Sequence, residues 1–271
     1  MSLSDEDLKA YFDRIGWEGT AAPDRATLAG LVAAHTAGIP FENLDPLLAR
    51  PVELAPEALV AKLVRGRRGG YCYEQNGLFR HVLETIGFRV TGLAARVLWM
   101  QPEDALTPRS HMVLLVDLPE GPVLADVGFG GAVLTGVLDL VADVPQPTPH
   151  ERFRLLRRDG EWRQQVEVAG EWRTTYRFDL QPQLAVDYEV ANWWTSAHPR
   201  SHFKHGLIAA RALPGRRLAL RNFDYAVHPL GGETQRRTLA DPNEVCDILE
   251  EDFAIAVPGR EALVARLREI A

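Results

Sequence analysis

Residues 68–79 read Arg68-Gly69-Gly70-Tyr71-Cys72-Tyr73-Glu74-Gln75-Asn76-Gly77-Leu78-Phe79. A cysteine here follows a glycine pair and begins a segment with helical spacing. A thiol at a helix N-terminus faces unpaired N–H groups and the positive end of the helix dipole, and both favour the nucleophilic thiolate. Cys72 is therefore a candidate nucleophile. Such a nucleophile needs a base beside it and a group that orients the base.

A candidate base and a candidate orienting carboxylate lie further along the chain. Of the eight histidines, His111 begins a strongly apolar strand, and Asp126 closes the next apparent strand. If these strands pair antiparallel through the turn signal at 119–122, His111 and Asp126 lie at the same end of the ladder. His81 lies in the same predicted helix as Cys72, too far along the axis to contact it. The pattern predicts that His111 takes the thiol proton and that Asp126 holds the imidazole in place.

Ordinary structural roles remain open for each of these residues. A lone cysteine is commonly a small buried apolar side chain, a histidine at a strand end is commonly structural or solvated, and an aspartate there is commonly a turn residue. The second cysteine, Cys246, follows a predicted helix start and is interpreted as structural.

The chain changes character near residue 90. Before that point, caps and apolar spacing predict helices; after it, short segments rich in valine, leucine and aromatic residues predict strands. The segment 152–190 is predicted to hold further short strands, and 192–205 is predicted to be a loop. The last part of the chain mixes strands with helices. The predicted helix starts are Ser4, Asp24, Pro56, Cys72, Asp241 and residue 259, and Gly87 is the predicted end of the helix that begins at Cys72.

Composition and charge are those of an acidic globular protein. The 271 residues are 46% hydrophobic and 25% charged, which suffices for a substantial core. A net charge of -7 argues against non-specific binding to nucleic acid. No segment approaches the roughly 20 apolar residues of a membrane helix, the acidic start lacks a signal-peptide core, and two cysteines are too few for a disulfide framework. We therefore expect a cytoplasmic protein with no nucleic-acid or membrane partner.

The remaining motifs favour a small organic ligand over a metal. His198, His202 and His205 have a spacing that suggests zinc ligands, but no carboxylate or cysteine nearby completes the set, so no metal site is predicted. Gly128-Phe129-Gly130-Gly131 is not a P-loop, because no Gly-Lys-Ser/Thr follows. Its glycines permit close backbone approach to a ligand and an anion-binding nest.

Taken together, the motifs resemble those of the arylamine N-acetyltransferases over most of the chain, in the order and approximate spacing of that family. A weaker similarity lies between Asn192 and Phe203. The principal motifs are Ile39-Pro40-Phe41-Glu42-Asn43-Leu44, residues 68–76, His111 with its apolar strand, and Asp126-Val127-Gly128-Phe129-Gly130.

The resemblance implies a catalytic triad of Cys72, His111 and Asp126. It implies acetyl-CoA as co-substrate and an arylamine, arylhydrazine or N-hydroxyarylamine as acceptor. It also implies an α+β fold in which a helical bundle and a β-barrel form a cysteine-protease-like core beneath a C-terminal α/β lid. Combined with the change in composition, this predicts domains at 1–90 (bundle with the nucleophile), 91–204 (barrel with His and Asp) and 205–271 (lid).

Binding roles rest on the resemblance too. Phe41 and Phe129 are the predicted apolar walls of the acceptor pocket and Phe203 is a weaker candidate, with ordinary core packing as the alternative. Contacts to the CoA phosphates are expected from backbone N–H groups at Gly128, Gly130 and Gly131 and from nearby basic side chains.

Charged residues beside the glycine turn at Gly69-Gly70 allow two interpretations. Glu42 and Arg68 form either an ion pair that braces the turn or two solvated charges. Arg65, Arg67 and Arg68 form a basic run that a solvated face explains as well as ligand binding.

Three other functions are compatible with the sequence. A cysteine hydrolase or transglutaminase-like enzyme uses the same triad with water or a protein amine as acceptor. An amide synthase of ansamycin type closes a macrolactam from a carrier-bound acyl group. A non-catalytic binding protein keeps only the fold. Dependence on CoA and on an aromatic amine separates the transferase from the hydrolase, and the reactivity of Cys72 separates both from the binding protein.

Overall fold

The computed structural model of the protein describes residues 3–270. Residues 1, 2 and 271, the outermost positions of the predicted domains 1–90 and 205–271, lie outside the described residues. No described helix combines the length and the apolar composition that crossing a membrane requires.

Helices form the first third of the chain, as predicted. Ser4 caps α1 by accepting a hydrogen bond from the backbone N–H of Asp7 (3.1 Å), and Asp24 caps α2 in the same way. Gly87 ends α5 with φ of 109°, a conformation that favours glycine. The helices are α1 (Asp5–Ile15), α2 (Arg25–Gly38), α3 (Leu44–Leu47), α4 (Pro56–Leu59) and α5 (Cys72–Ile86).

The helix predicted to start at Pro56 continues as a π-helix, Val60–Arg65. Its wider turn is closed by the N–H of Gly66, which donates to the carbonyl of Ala61 (2.8 Å). A π-turn shifts the side chains that follow it relative to an α-helix. Lys62 lies in this segment and points into a buried ion cluster described below.

An antiparallel sheet of eight strands nearly closes into a barrel, so the predicted α+β fold is confirmed. Its order is β5-β4-β3-β2-β9-β8-β7-β6. The hairpin of β3 and β4 turns where the sequence predicts, with Leu118 opposite Gly121. The strands are β2 (Arg89–Val97), β3 (Arg109–Leu118), β4 (Gly121–Ala125), β5 (Leu138–Asp139), β6 (Gln146–Pro147), β7 (Arg152–Arg158), β8 (Glu161–Val168) and β9 (Glu171–Phe178).

A second sheet lies in the C-terminal part and recruits one strand from the helical region. That strand is β1 (Phe41–Glu42), which pairs with β10 in the order β1-β10-β11-β12-β13. Leu44 and Leu47 pack in the same apolar cluster as the C-terminal helices. The domain limits stay a prediction. The remaining elements are β10 (Ile208–Leu213), β11 (Arg216–Arg221), β12 (Asp224–Pro229), β13 (Gln235–Thr238), α7 (Pro242–Glu251) and α8 (Arg260–Glu269).

The strands predicted between 152 and 190 are present but end at Phe178, and the predictions of strand after that residue and of loop throughout 192–205 are wrong. Helix α6 spans Ala185–Ala197, and a short 3-10 helix covers His202–Lys204. The burial pattern of α6 is the reverse of that in an ordinary amphipathic helix. Its polar residues Asn192 and Ser196 are buried, whereas its apolar residues Val190 and Trp193 are exposed. Because β-branched and aromatic residues favour strands and the buried face carries polar groups, neither propensity nor apolar spacing indicates a helix here.

Candidate active site

Cys72 is the first residue of α5, and at the glycine pair shortly before it the backbone lies too close to other segments for a side chain. A Cβ on Gly69 would lie 2.1 Å from the carbonyl oxygen of Pro40. A Cβ on Gly128, in the loop after Asp126, would lie 2.7 Å from the Cα of Cys72. Glycine at both positions allows the backbone before Cys72 and the loop 128–131 to pack closely against their neighbours. The thiol itself is only 5% exposed and approaches the carbonyl oxygen of Ser110 (3.6 Å).

His111 and Asp126 are brought together by the β3–β4 hairpin. Asp126 directly follows β4, and its Oδ2 lies 2.8 Å from Nε2 of His111. Because a carboxylate can only accept, this contact places a proton on Nε2 of His111. Nδ1 is then the nitrogen that can exchange a proton with Cys72. Burial lowers the pKa of His111, but the charge and hydrogen bond of Asp126 and a hydrogen bond with Cys72 outweigh it and raise that pKa to about 10. The geometry therefore favours an imidazolium beside the sulfur.

The pKa of Asp126 moves the opposite way. Complete burial favours the neutral carboxyl group, yet the charge of His111 and hydrogen bonds from Asn76 and Gly128 hold the pKa below its usual value. The carboxylate thus stays ionised beneath the imidazole. Tyr176 also packs on the His111 ring at 5.0 Å between centroids, and its hydroxyl accepts a hydrogen bond from Nε2 of Gln164 (2.6 Å).

Asn76, which sequence reasoning missed as a site residue, anchors the carboxylate. Its Nδ2 donates to Oδ1 of Asp126 (2.9 Å), and its Oδ1 accepts from the N–H of Val127 (3.0 Å). The N–H of Gly128 donates to the same Asp126 oxygen (2.9 Å). Asn76 follows Cys72 by one helical turn, so both side chains project from one face of α5. A polar residue one helical turn after the cysteine is the sequence signal that could have identified it.

Replacing Asn76 with alanine should lower kcat by about 10- to 100-fold, because a buried carboxylate oxygen loses a donor worth about 1–3 kcal/mol and Asp126 becomes free to turn. Steady-state acetyl transfer measures the effect, with thermal unfolding as a second readout. The matched control is Asn243→Ala at an exposed position on α7. Full activity in Asn76→Ala would show that the carboxylate is oriented without it.

A buried ion cluster lies beneath the nucleophile turn. Nε of Arg68 donates to Glu42 (2.9 Å), and Nη2 of Arg68 lies 3.1 Å from Asp45. Lys62 pairs with Asp45 (2.6 Å) and with Glu74. Burial and the charges of Glu42 and Asp45 raise the pKa of Glu74 to about 7 against the opposing effect of Lys62. The Glu42–Arg68 pair therefore exists, and it is buried rather than solvated.

A second buried network fixes the carbonyl group of Gly70 and that of Pro40, which packs against Gly69. Tyr11 hydrogen-bonds to Nδ1 of His35 (2.8 Å), and Nε2 of His35 to Oε1 of Gln75 (2.6 Å). The Gln75 amide then donates to the carbonyls of Pro40 (2.7 Å) and Gly70 (3.2 Å). Burial lowers the pKa of His35 to about 4, so this imidazole is neutral. Its two hydrogen bonds join α2 to α1 and α5.

The three predicted acceptor-pocket phenylalanines separate into two groups. The ring of Phe129 meets His111 edge-on at 5.3 Å, whereas Phe41 and Phe203 contact each other at 6.0 Å. Phe203 also lies against Tyr71, at 5.4 Å.

The three glycines of the expected CoA-binding loop have different surroundings. Gly128 abuts Cys72, Gly130 has φ of 84° and faces the ring of Phe41, and Gly131 is exposed. Their roles in binding CoA stay predictions.

A cavity of about 260 Å³ opens beside the site, between α6 and the start of β3. Tyr73 and Ser110, the chain neighbours of Cys72 and His111, form part of its wall, whereas none of the three predicted phenylalanines does. The sequence did not indicate this cavity, because its far wall is the helix that was predicted as strand and loop. Its lining is completed by Ala94, Pro108, Arg109, Gln183, Asp187, Tyr188, Val190, Ala191 and Trp194.

The histidines with zinc-like spacing do not converge. His198 stacks on Trp194 at 3.7 Å between centroids, and His205 hydrogen-bonds to the carbonyl of Pro199 (2.6 Å). Among residues 3–270, no three or more His, Cys, Asp or Glu side chains are grouped to hold a metal ion. Cys246 is buried in the C-terminal apolar cluster, where burial raises the pKa of its thiol.

Comparison with known proteins gives consistent matches. The family model described as N-acetyltransferase matches residues 24–262. The arylamine N-acetyltransferase of Mycolicibacterium smegmatis is 45% identical over 97% of this chain and 98% of its own, and that of Escherichia coli K12 is 44% identical over 92% and 89%. The structure of the Mycobacterium marinum arylamine N-acetyltransferase in complex with CoA superposes with a TM-score of 0.94 at 43% identity, covering 97% of this chain and 99% of that one.

Proposed function

The chain belongs to the arylamine N-acetyltransferase family, and on that premise we propose that it moves an acetyl group from acetyl-CoA to an aromatic amine through an acetyl-cysteine at Cys72. The observation that carries the proposal is the buried His111–Asp126 pair beside a thiol at the start of a helix. The acceptor is an arylamine, arylhydrazine or N-hydroxyarylamine, which is the class implied by the family.

In the first half-reaction, the sulfur of Cys72 attacks the thioester carbonyl of acetyl-CoA. The carbon–sulfur bond to CoA breaks, and the CoA thiolate takes the proton from His111. The raised pKa of His111 supports this step, since it indicates that the imidazole holds a proton beside the sulfur in the resting enzyme. The products are free CoA and an acetyl-cysteine with neutral His111.

In the second half-reaction, the amine nitrogen attacks the acetyl-cysteine carbonyl and gives its proton to Nδ1 of His111. The bond to the sulfur breaks, which releases the N-acetylated amine and restores the thiolate–imidazolium pair. Asp126 stabilises the imidazolium in both halves without itself becoming protonated.

Water must be kept from the acetyl-cysteine if the amine is to be acetylated. The small exposed fraction of Cys72 and the aromatic ring of Phe129 against His111 support such shielding. Apolar walls also favour an aromatic acceptor over a hydrophilic one. This argument favours the transferase over a cysteine hydrolase on the same core.

The ping-pong order is tested by initial rates. With acetyl-CoA and an arylamine varied against each other, we expect parallel double-reciprocal lines, because CoA leaves before the amine reacts. Mass spectrometry without amine should detect one acetyl group on the peptide that contains Cys72. Intersecting lines would instead indicate direct transfer in a ternary complex and would remove the acetyl-cysteine from the mechanism.

A further inference from the structure

One face of helix α6 exposes a row of apolar side chains. Val186, Val190 and Trp193 are 57%, 69% and 57% exposed, and Ala197 is exposed as well. Separations of four, three and four residues place these side chains in line along the helix, because residues three or four apart share one face. Soluble chains commonly expose single apolar side chains, whereas a continuous apolar surface is typical of a binding site. We call these four residues the α6 stripe.

The α6 stripe does not attach α6 to the rest of the chain. The helix is attached through its opposite face, where Asn192 accepts a hydrogen bond from the hydroxyl of Tyr71 and donates one to the carbonyl of Val52 (2.9 Å). On the same side, the hydroxyl of Tyr188 donates to the carbonyl of Leu93 (3.2 Å). Since polar contacts hold the buried face, the packing of this chain does not account for the apolar residues on the exposed face.

Charges of opposite sign lie beside the two ends of the α6 stripe. Asp187 and Glu189 are exposed in the first half of α6, and the exposed Arg200 follows its end. Within residues 3–270, none of these three side chains makes an ion pair. The guanidinium of Arg200 lies 5.2 Å over the ring of Trp194, which follows Asp187 by two helical turns and so lies on the same flank of the stripe. This flank therefore begins with a negative charge and ends with a positive one.

A second copy of α6 fits the α6 stripe when the two helices run antiparallel. In a two-fold dimer every contact between two different residues occurs twice, once in each direction. Val190 can face Trp193 of the second copy while Val186 faces Ala197 of the second copy. One two-fold axis generates both pairs, because both are centred between residues 191 and 192. The large indole then meets a valine near the centre, and the small alanine meets a valine at each end.

The same pairing matches the charges. Asp187 of one copy comes level with residue 196 of the other, on the flank where the guanidinium of Arg200 lies over Trp194. An antiparallel pair therefore joins opposite charges at both ends, whereas a parallel pair would set the two copies of Asp187 side by side. Complementary charges fix the register and direction of an interface, and here they favour a second copy of this chain as the partner.

We propose that the α6 stripe is the contact surface of a two-fold dimer, in which α6 packs antiparallel on α6 of a second copy of this chain. The proposal goes beyond the proposed function and does not depend on it. One helix pair covers less surface than the roughly 1,200–2,000 Å² of a stable interface, so the dimer should be weak, with a Kd of about 10–100 µM.

Sedimentation velocity at protein concentrations from about 1 to 500 µM measures the association. The wild type should change from monomer to dimer over this range. Val186→Gln/Trp193→Gln should raise the Kd at least about tenfold, because it removes two of the four apolar contacts from each copy. Thermal unfolding at about 1 µM, where both proteins are monomeric, should be the same for the variant and the wild type, since the two changed side chains are exposed.

The matched control is Val141→Gln/Leu230→Gln, which changes two exposed apolar side chains elsewhere and should associate like the wild type. A wild type that stays monomeric throughout, or an equal loss of association in the control, would overturn the proposal. If no dimer formed and Val186→Gln/Trp193→Gln instead raised the KM for the acceptor, the α6 stripe would belong to the acceptor site and the dimer proposal would be wrong.

Disulfide cross-linking tests the antiparallel register. Val186→Cys/Ala197→Cys should form a covalent dimer on oxidation, because residue 186 of each copy faces residue 197 of the other. Within one chain the two positions are about 16 Å apart along the helix, too far for a disulfide. Val186→Cys alone and the wild type should not cross-link under the same conditions. A covalent dimer of Val186→Cys alone, or none of the double variant, would contradict the antiparallel pairing.

Discussion

Replacing Cys72 with alanine lowers acetyl transfer by at least about 10⁴-fold, because no other group in the site can carry the acetyl intermediate. The expectation follows from the position of the sulfur at the first turn of α5, beside an imidazole whose pKa is raised to about 10. The measurement is single-turnover CoA release from acetyl-CoA, with and without amine. The variant should release no CoA in either case.

The chain offers its own control in Cys246, the other free cysteine. Cys246→Ala removes a buried sulfur from the C-terminal apolar cluster, so it should lower thermal stability slightly and leave kcat unchanged. If Cys72→Ala kept a rate within about tenfold of the wild type, a direct attack of the amine on acetyl-CoA would replace the covalent scheme.

The parts of the site that the sequence predicts are those fixed by local geometry. The position of Cys72 follows from a glycine pair and a helix start. The proximity of His111 and Asp126 follows from a hairpin whose short turn sets the register, with Leu118 opposite Gly121. In both cases the chemistry-bearing residues lie close to the turn that aligns them, so short-range rules suffice.

The parts that the sequence does not predict depend on long-range packing. Phe41 and Glu42 form a strand only because β10 pairs with them from the far end of the chain. Helix α6 buries polar residues that find partners elsewhere, such as Asn192, whose Nδ2 donates to the carbonyl of Val52 (2.9 Å). Likewise Asn76 and Gln75 show no helical amphipathicity that marks them; their importance comes from carbonyl and carboxylate groups delivered by other segments. Burial of polar groups is a tertiary property, which periodicity in one segment cannot express.

Replacing Asp126 with asparagine should lower kcat by about 10³- to 10⁴-fold while leaving the fold intact, and the reason is the tautomer of His111. Oδ1 of Asp126 accepts from Asn76 and from the N–H of Gly128, both at 2.9 Å. A new amide must keep its oxygen toward these two donors, so its NH₂ group takes the place of Oδ2 and faces Nε2 of His111. Nε2 then has to accept, the ring proton moves to Nδ1, and Nδ1 can no longer take a proton from Cys72.

The pH dependence of the free energy of unfolding gives the Asp126→Asn prediction a second readout. In the wild type the pKa of His111 is raised to about 10, above the usual value near 6.5 for the unfolded chain. The interaction with Asp126 therefore stabilises the fold fully below about pH 6.5, and that stabilisation is lost as the pH rises toward 10. In Asp126→Asn burial still lowers the pKa of His111 while the charge of Asp126 no longer raises it, so this alkaline loss of stability should become much smaller.

Alkylation of Cys72 by iodoacetamide tests how the loss of the Asp126 carboxylate affects the reactivity of the sulfur. In the wild type the rate should change little across neutral pH, because the pKa of His111 is raised to about 10 and its positive charge beside the sulfur persists there. In Asp126→Asn it should be slow at pH 7 and rise toward alkaline pH, as for an unassisted thiol. The control is Asp117→Asn, at an exposed position on the same strand as His111, which should keep the wild-type profile. A wild-type alkylation profile in Asp126→Asn would mean that the carboxylate does not govern the proton on His111, and the proposed triad would reduce to a Cys72–His111 dyad.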